Sequence, residues 1–265
     1  MKPGQNKKTA KPVHANRGIE LAYKRAIKSL VDQMHKSVQY WVSAEYKKNP
    51  PKMEKVVAQD ALPPSAHMQY MLETLADRWT KKFDESAPLI AENAMDDMFK
   101  YSDAAFKSAL KAAGWSVKFT MTPAMRDALN AKIQKNIELI MSIPAEYLQQ
   151  VQGSVMRSYS AGRDLGAMVK EINRIYPKAA NRAVLIARDQ SNKANAVVNR
   201  TRQMELGITE AIWLHSSGGK EPRQSHVNAS GKKYKLAEGC LIDGEYIFPG
   251  EKISCRCVSR AVLPF

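Results

Sequence analysis

"QMELGITEAIWLHSSGG", residues 203–219, is where the chain changes character. Up to Glu205 the sequence continues a long helical pattern. Gly207 is the residue type that ends helices, because it adopts a left-handed backbone without a Cβ penalty. Beyond it, "EAIWLH" is rich in strand-forming residues and runs into a Ser-Ser-Gly-Gly turn. The switch at Gly207 implies a mainly α fold: a helical body carrying a small β-rich (α+β) C-terminal unit.

Downstream the β texture persists. "SGKKYKL" (230–236) predicts a second strand after a Ser-Gly turn. "GCLIDGEYIFPGE" (239–251) predicts a hairpin around Asp243-Gly244. "ISCRCVSRAV" (253–262) alternates and predicts the last strand, with Cys255 and Cys257 on one face and Arg256 on the other.

Upstream the pattern is helical. Ile19, Tyr23, Ile27, Leu30, Met34, Val38 and Trp41 recur every three or four residues, predicting a helix to about Tyr46 that "NPPK" (49–52) stops. Pro63-Pro64 opens a second helix, with Ser65 as its cap and Met68, Met71, Leu72, Leu75 and Trp79 as its apolar stripe. A separate helix is expected from Pro88 to Ala113, ended by Gly114, and "SVKFTMT" (116–122) reads as extended. Thr122-Pro123 opens a helix to about Ser142. Two more helices flank the turn "SAGRDLG" (160–166), and a long one begins near Pro177, where recurrent alanines permit close packing. The expected divisions are a flexible basic tail (1–18), an N-terminal helical region (19–114), and a unit with a helical part (115–207) and a β-rich part (208–265).

The chain has 265 residues and a net charge of +15. Residues 1–48 hold eleven Lys or Arg against three Asp or Glu, a field that attracts polyanions without reading sequence. The candidate DNA contacts are Lys2, Lys7, Lys8, Lys11, Arg17, Lys24, Arg25 and Lys28. No apolar run reaches the length that spans a bilayer, so no membrane partner is expected. "MKPGQNKKTAKPVHANRG" lacks the apolar core of a secretory signal, and three cysteines suit a reducing cytoplasm better than a disulfide framework.

Cys255, Cys257, Cys240 and His226 supply the donor types of a closed structural zinc site, a staple that a small β unit with little core would gain stability from. Two other readings remain open: reduced thiols packed as small apolar groups, or a disulfide. An enzymatic reading would take His215 or His226 as base with Cys255 or Cys257 as nucleophile, or would use the histidines to hold a metal in a nuclease-like hairpin. No acidic cluster, nucleophile turn or phosphate loop accompanies them, so no catalytic residue is assigned and the protein reads as a non-enzyme.

From about Ile143 to Val258 the chain resembles the phage-Mu-F-like family of minor head, or head morphogenesis, proteins. Four stretches carry the resemblance: the paired helices around the small-residue turn, the long helix "NRAVLIARDQSNKANAVVNRTRQMELGI", the signature Trp213, Arg223, His226 and Gly231, and the closing Pro249, Gly250, Cys255 and Cys257. The chain has Arg188-Asp189-Gln190 where the family usually shows Arg-Thr-Glu, and Lys220 and Glu221 where an Asp usually precedes the Arg-x-x-His. The resemblance implies a minor capsid protein present in few copies. It would dock on the phage portal protein inside the procapsid, near scaffold or major capsid protein, and touch DNA non-specifically during head assembly, packaging or ejection. Its expected location is the virion or procapsid interior, and the host cytoplasm during assembly.

Overall fold

The computed structural model describes residues 8–51, 63–217 and 221–265. Their order is α1 (Arg17–Lys48), α2 (Pro64–Ala112), α3 (Pro123–Ser160), α4 (Leu165–Glu205), β1 (Glu210–Leu214), α5 (Gln224–Asn228), β2 (Lys233–Lys235), β3 (Cys240–Ile242), β4 (Glu245–Ile247) and β5 (Val258–Val262). The protein is mainly α with a small antiparallel β region at its C-terminal end. Among the described residues, no helix is long and apolar enough to cross a membrane.

The helices are fewer and longer than their prolines suggest. Pro88 lies inside α2, Pro144 inside α3 and Pro177 inside α4, so the expected breaks at 88, 142 and 177 do not occur. An interior proline costs about 3 kcal/mol. Around each one the buried stripe continues: Phe83, Ala87, Ala91 and Met95; Ile140, Ile143, Tyr147 and Val151; Ile172, Ala179 and Ala183. Burying several such side chains outweighs one missing backbone bond. Helix ends follow local chemistry more closely. Asn16 Oδ1 accepts from the N–H groups of Gly18 and Ile19 at 2.8 and 3.2 Å, capping α1. Thr122 Oγ1 accepts from Met125 N at 3.2 Å, capping α3 as expected. Ser65 caps nothing, because α2 already begins at Pro64. Residues 116–122 form no strand. At Gly207, with φ +69°, Ile208 N donates to Gln203 O at 3.0 Å and closes α4.

The chain forms two compact units, each discontinuous in sequence, so the cuts differ from the consecutive blocks expected. One comprises residues 23–91 and 135–186. Its core is aliphatic and aromatic: Ile27, Val31, Met34, Val38, Met68, Phe83, Ile140, Ile143 and Ile172. A polar knot crosses it. His35 Nδ1 lies 2.8 Å from Tyr147 OH and its Nε2 lies 3.2 Å from Asn173 Oδ1, while its ring stacks on Tyr176. Burial holds the His35 imidazole below its ordinary pKa.

The other unit comprises residues 1–22, 92–134 and 187–265. Its sheet has the order β2-β1-β5, antiparallel throughout, and β3 and β4 form the hairpin expected at Asp243-Gly244. The core gathers Phe106, Leu110, Ile208, Trp213, Tyr234, Leu236, Ile242, Ile247 and Leu263.

Residues 8–13 are not the flexible tail their composition suggests. Thr9 bridges Val262, Leu263 N donates to Lys8 O at 2.8 Å, and Ala10 N donates to Ala261 O at 3.1 Å. The segment thus adds a rung to the edge of β5. Ala10 and Val13 are buried, and Asn195 Nδ2 on α4 donates to Val13 O at 2.9 Å. Small apolar residues between the lysines supply the anchoring that a count of charges overlooks.

Candidate metal centre

Three elements of the second unit bring a His-Cys-Cys group together. His226 sits on the short helix α5, which comes after β1 in the chain. Cys255 and Cys257 lie in the irregular segment before β5, not in the strand itself as the alternation predicts. Each of the three residues is about 4% exposed, so the donors are withheld from bulk solvent.

Two features of α4 fix the cysteine segment. A Cβ on Gly250, whose φ is +83°, would come within 2.9 Å of Ala196 Cβ, so the chain can pass α4 this closely only with glycine here and a small residue opposite. Asp189 Oδ1 accepts from Ser254 N at 2.7 Å, and Asp189 is itself held by Lys193 at 2.9 Å. Ser254 takes the left-handed backbone, φ +60°, and the segment turns so that both sulfurs face the imidazole. On the other side, Gly231 N donates to Trp213 O at 2.8 Å and Trp213 N to Lys232 O at 2.9 Å. The Trp213 ring then meets His226 edge to face, with centroids 5.2 Å apart. The signature residues Trp213, His226, Gly231, Gly250, Cys255 and Cys257 therefore build one small structure.

His226 Nδ1 lies 3.5 Å from Cys255 Sγ and 3.7 Å from Cys257 Sγ. Bond lengths of about 2.05 Å to nitrogen and about 2.3 Å to sulfur at a tetrahedral angle place such donors about 3.6 Å apart. The three donor atoms all lie within 4.8 Å of one another and can hold a metal ion. The thiols are unequal. The neighbouring Cys257 sulfur holds the Cys255 pKa down, at about 5, against the opposing effect of burial, helped by the backbone N–H groups of Cys257 and Gly250 and by His226. The neighbouring Cys255 sulfur and burial push the Cys257 thiol up from the ordinary range. The buried Trp213 indole N–H has no hydrogen-bond partner, yet it lies near enough to Cys257 to favour that thiolate. An orphaned donor beside a sulfur that a metal would hold deprotonated fits a soft-metal centre.

Cys240 does not belong to this group. It lies on β3 in the apolar core, where burial pushes its thiol pKa up, and it packs as a small apolar residue. The four-donor set His226, Cys240, Cys255 and Cys257 is thereby corrected to three. No disulfide forms among the three cysteines.

The three donors form part of the wall of a cavity of about 310 Å³, along with Arg188, His215, Glu221, Arg223, Ser254 and Arg256. Arg256 thus lines the cavity that the cysteines line. Of these groups, sequence reasoning weighed His215, Glu221 and Arg223 but gave Arg188 and Arg256 no role at the site. The available signal was the Arg188-Asp189 pair standing where the family has its Arg-Thr-Glu.

The candidate DNA contacts are divided. Lys2 and Lys7 lie outside the described residues. Lys8, Lys11 and Arg17 are exposed in the sheet-bearing unit. In the other unit Arg25 is exposed and Lys24 is half-buried, while Lys28 pairs with Asp32 at 2.7 Å and donates to Tyr176 OH at 3.0 Å.

Helices that lead into a small sheet, closed by a His-Cys-Cys group beside an arginine-lined cavity, define a class of α+β unit with a built metal-binding geometry. Residues 149–260 match the family model described as phage Mu protein F like protein. A protein of Haemophilus influenzae (strain ATCC 51907 / DSM 11121 / KW20 / Rd), described as an uncharacterized protein, is 35% identical over 145 residues, 54% of this chain and 31% of its own length. The chain therefore spans about a third of that relative. No solved structure matches.

Proposed function

We propose that this protein is a minor head protein of a tailed phage that acts in head morphogenesis. It docks at the portal vertex inside the procapsid, beside scaffold or major capsid protein, and contacts DNA through exposed basic side chains such as Lys8, Lys11 and Arg17. The observation that carries this reading is the Mu-F-like match over 149–260, which takes in the whole metal group and most of the sheet that frames it. The net charge of +15 supports the DNA contact. In the same reading the metal is zinc, held by His226 Nδ1 and the two sulfurs, and it ties the cysteine segment to α5. Co-sedimentation with purified portal protein and detection in procapsids test the proposal. Stable association with portal is expected, and absence from both particles and precursors overturns it.

One observation favours a second reading, a zinc-dependent hydrolase or nuclease. The group offers three protein donors rather than four and borders a cavity, as in zinc sites that keep a position open. Substrate turnover lost in His226→Ala with the fold intact would establish it.

A further inference from the structure

We propose that the cavity beside the metal group is a phosphate-binding site. This stands apart from the portal reading and holds whether or not a metal is bound. The wall carries three guanidinium groups, Arg188, Arg223 and Arg256, and the imidazole of His215, against one carboxylate, Glu221. Among the described residues none of the three arginines forms an ion pair. The acid nearest Arg188 in sequence, Asp189, is already committed to Lys193 and to Ser254 N.

The arginines are held without being neutralised. Arg188 Nη2 donates to Ser254 Oγ at 3.1 Å, and Arg223 Nη2 donates to Ile253 O at 2.9 Å. Both are thus fastened to the segment that carries Cys255. Arg188 Nε is buried and has no hydrogen-bond partner, so the guanidinium's remaining N–H groups are the ones left to meet a ligand. Arginine is the side chain best suited to phosphate, because its planar fork presents paired N–H groups to paired oxygens. Three guanidiniums on one wall exceed what a single carboxylate ligand would neutralise. A phosphate group offers several acceptor oxygens and up to two charges. The volume of about 310 Å³ is larger than a bare phosphate and leaves room for an attached sugar. The recognised chemistry is a phosphate group, from the DNA backbone or from a free phosphate.

The test titrates inorganic phosphate, and separately a short labelled DNA duplex, against the full chain and its Arg223→Gln and Arg256→Gln variants. Phosphorus NMR line broadening reads the first and fluorescence anisotropy the second. Arg223 is exposed, so its variant leaves the core untouched. Saturable phosphate binding is expected in the wild type, weakened at least about tenfold by each substitution, with the far-ultraviolet circular dichroism of the folded protein unchanged. If phosphate competes with the duplex, and duplex affinity falls in step in the variants, the ligand is the DNA backbone. If phosphate binding falls and duplex binding does not, the site takes a free phosphate group. Failure of the wild type to bind phosphate saturably, or equal binding by all three proteins, overturns the proposal.

Discussion

Replacing Cys257 by serine separates the three-donor group from the four-donor site that the sequence suggests. Structural zinc in small four-donor peptide sites binds with about 10–16 kcal/mol, or about 3 kcal/mol per donor, so losing one of the three donors here should cost about a hundredfold in affinity. The Nδ1–Sγ distances of 3.5 and 3.7 Å require little rearrangement to accept the ion, so removing a donor should carry this full cost. A hundredfold loss of affinity lowers the stabilisation conferred by excess zinc by about 2.7 kcal/mol. The assay is zinc content by atomic emission after dialysis, with urea unfolding with and without chelator. Wild type should hold one zinc and lose stability to the chelator, while Cys257→Ser should hold almost none and ignore it. Cys240→Ser is the control: its thiol lies in the apolar core, so the variant should lose some stability yet keep its zinc. Zinc lost equally in Cys240→Ser and Cys257→Ser, or a wild type indifferent to chelator, would refute the reasoning.

Three further outcomes are expected. Lys8→Gln with Lys11→Gln should flatten the salt dependence of DNA retention by about two counterions while leaving urea unfolding unchanged, whereas deleting residues 1–16 should expose the Leu263 amide to rapid hydrogen exchange. Asn195→Ala should cost about 2–4 kcal/mol in urea unfolding, because buried Asn195 accepts from Ser102 Oγ at 2.9 Å and donates to Val13 O at 2.9 Å. For His35 the folded pKa lies below the unfolded one, so the unfolded chain takes up the proton first. Stability should therefore fall as pH drops from about 7 through the ordinary histidine value and level off below the folded pKa; a Gln at position 35 should remove that dependence in an unfolding series against pH.

Much of the fold was legible where local chemistry decides it. The stops at Gly114 and Gly207, the cap at Thr122, the turn at 160–166 and the Asp243-Gly244 hairpin each depend on a few adjacent residues. The misplaced breaks at Pro88, near Ser142 and near Pro177 depend on buried neighbours along the whole helix, and a local rule cannot weigh those. Cys255, Cys257 and His226, singled out for their donor types and the C-x-C spacing, are the residues that the fold brings together. Cys240 was misassigned because its residue type says nothing of its direction. It sits in a hairpin whose other buried side chains, Ile242 and Ile247, belong to the apolar core. Arg188 reaches the cavity from α4, 66 residues before Ser254, a proximity that no spacing within the C-terminal stretch reveals.

The rung formed by residues 8–10 on the margin of β5 joins positions more than 250 residues apart. Closing so long a loop is entropically slow, so on the ribosome the helices can form early while this rung waits until residues 261–263 have been made.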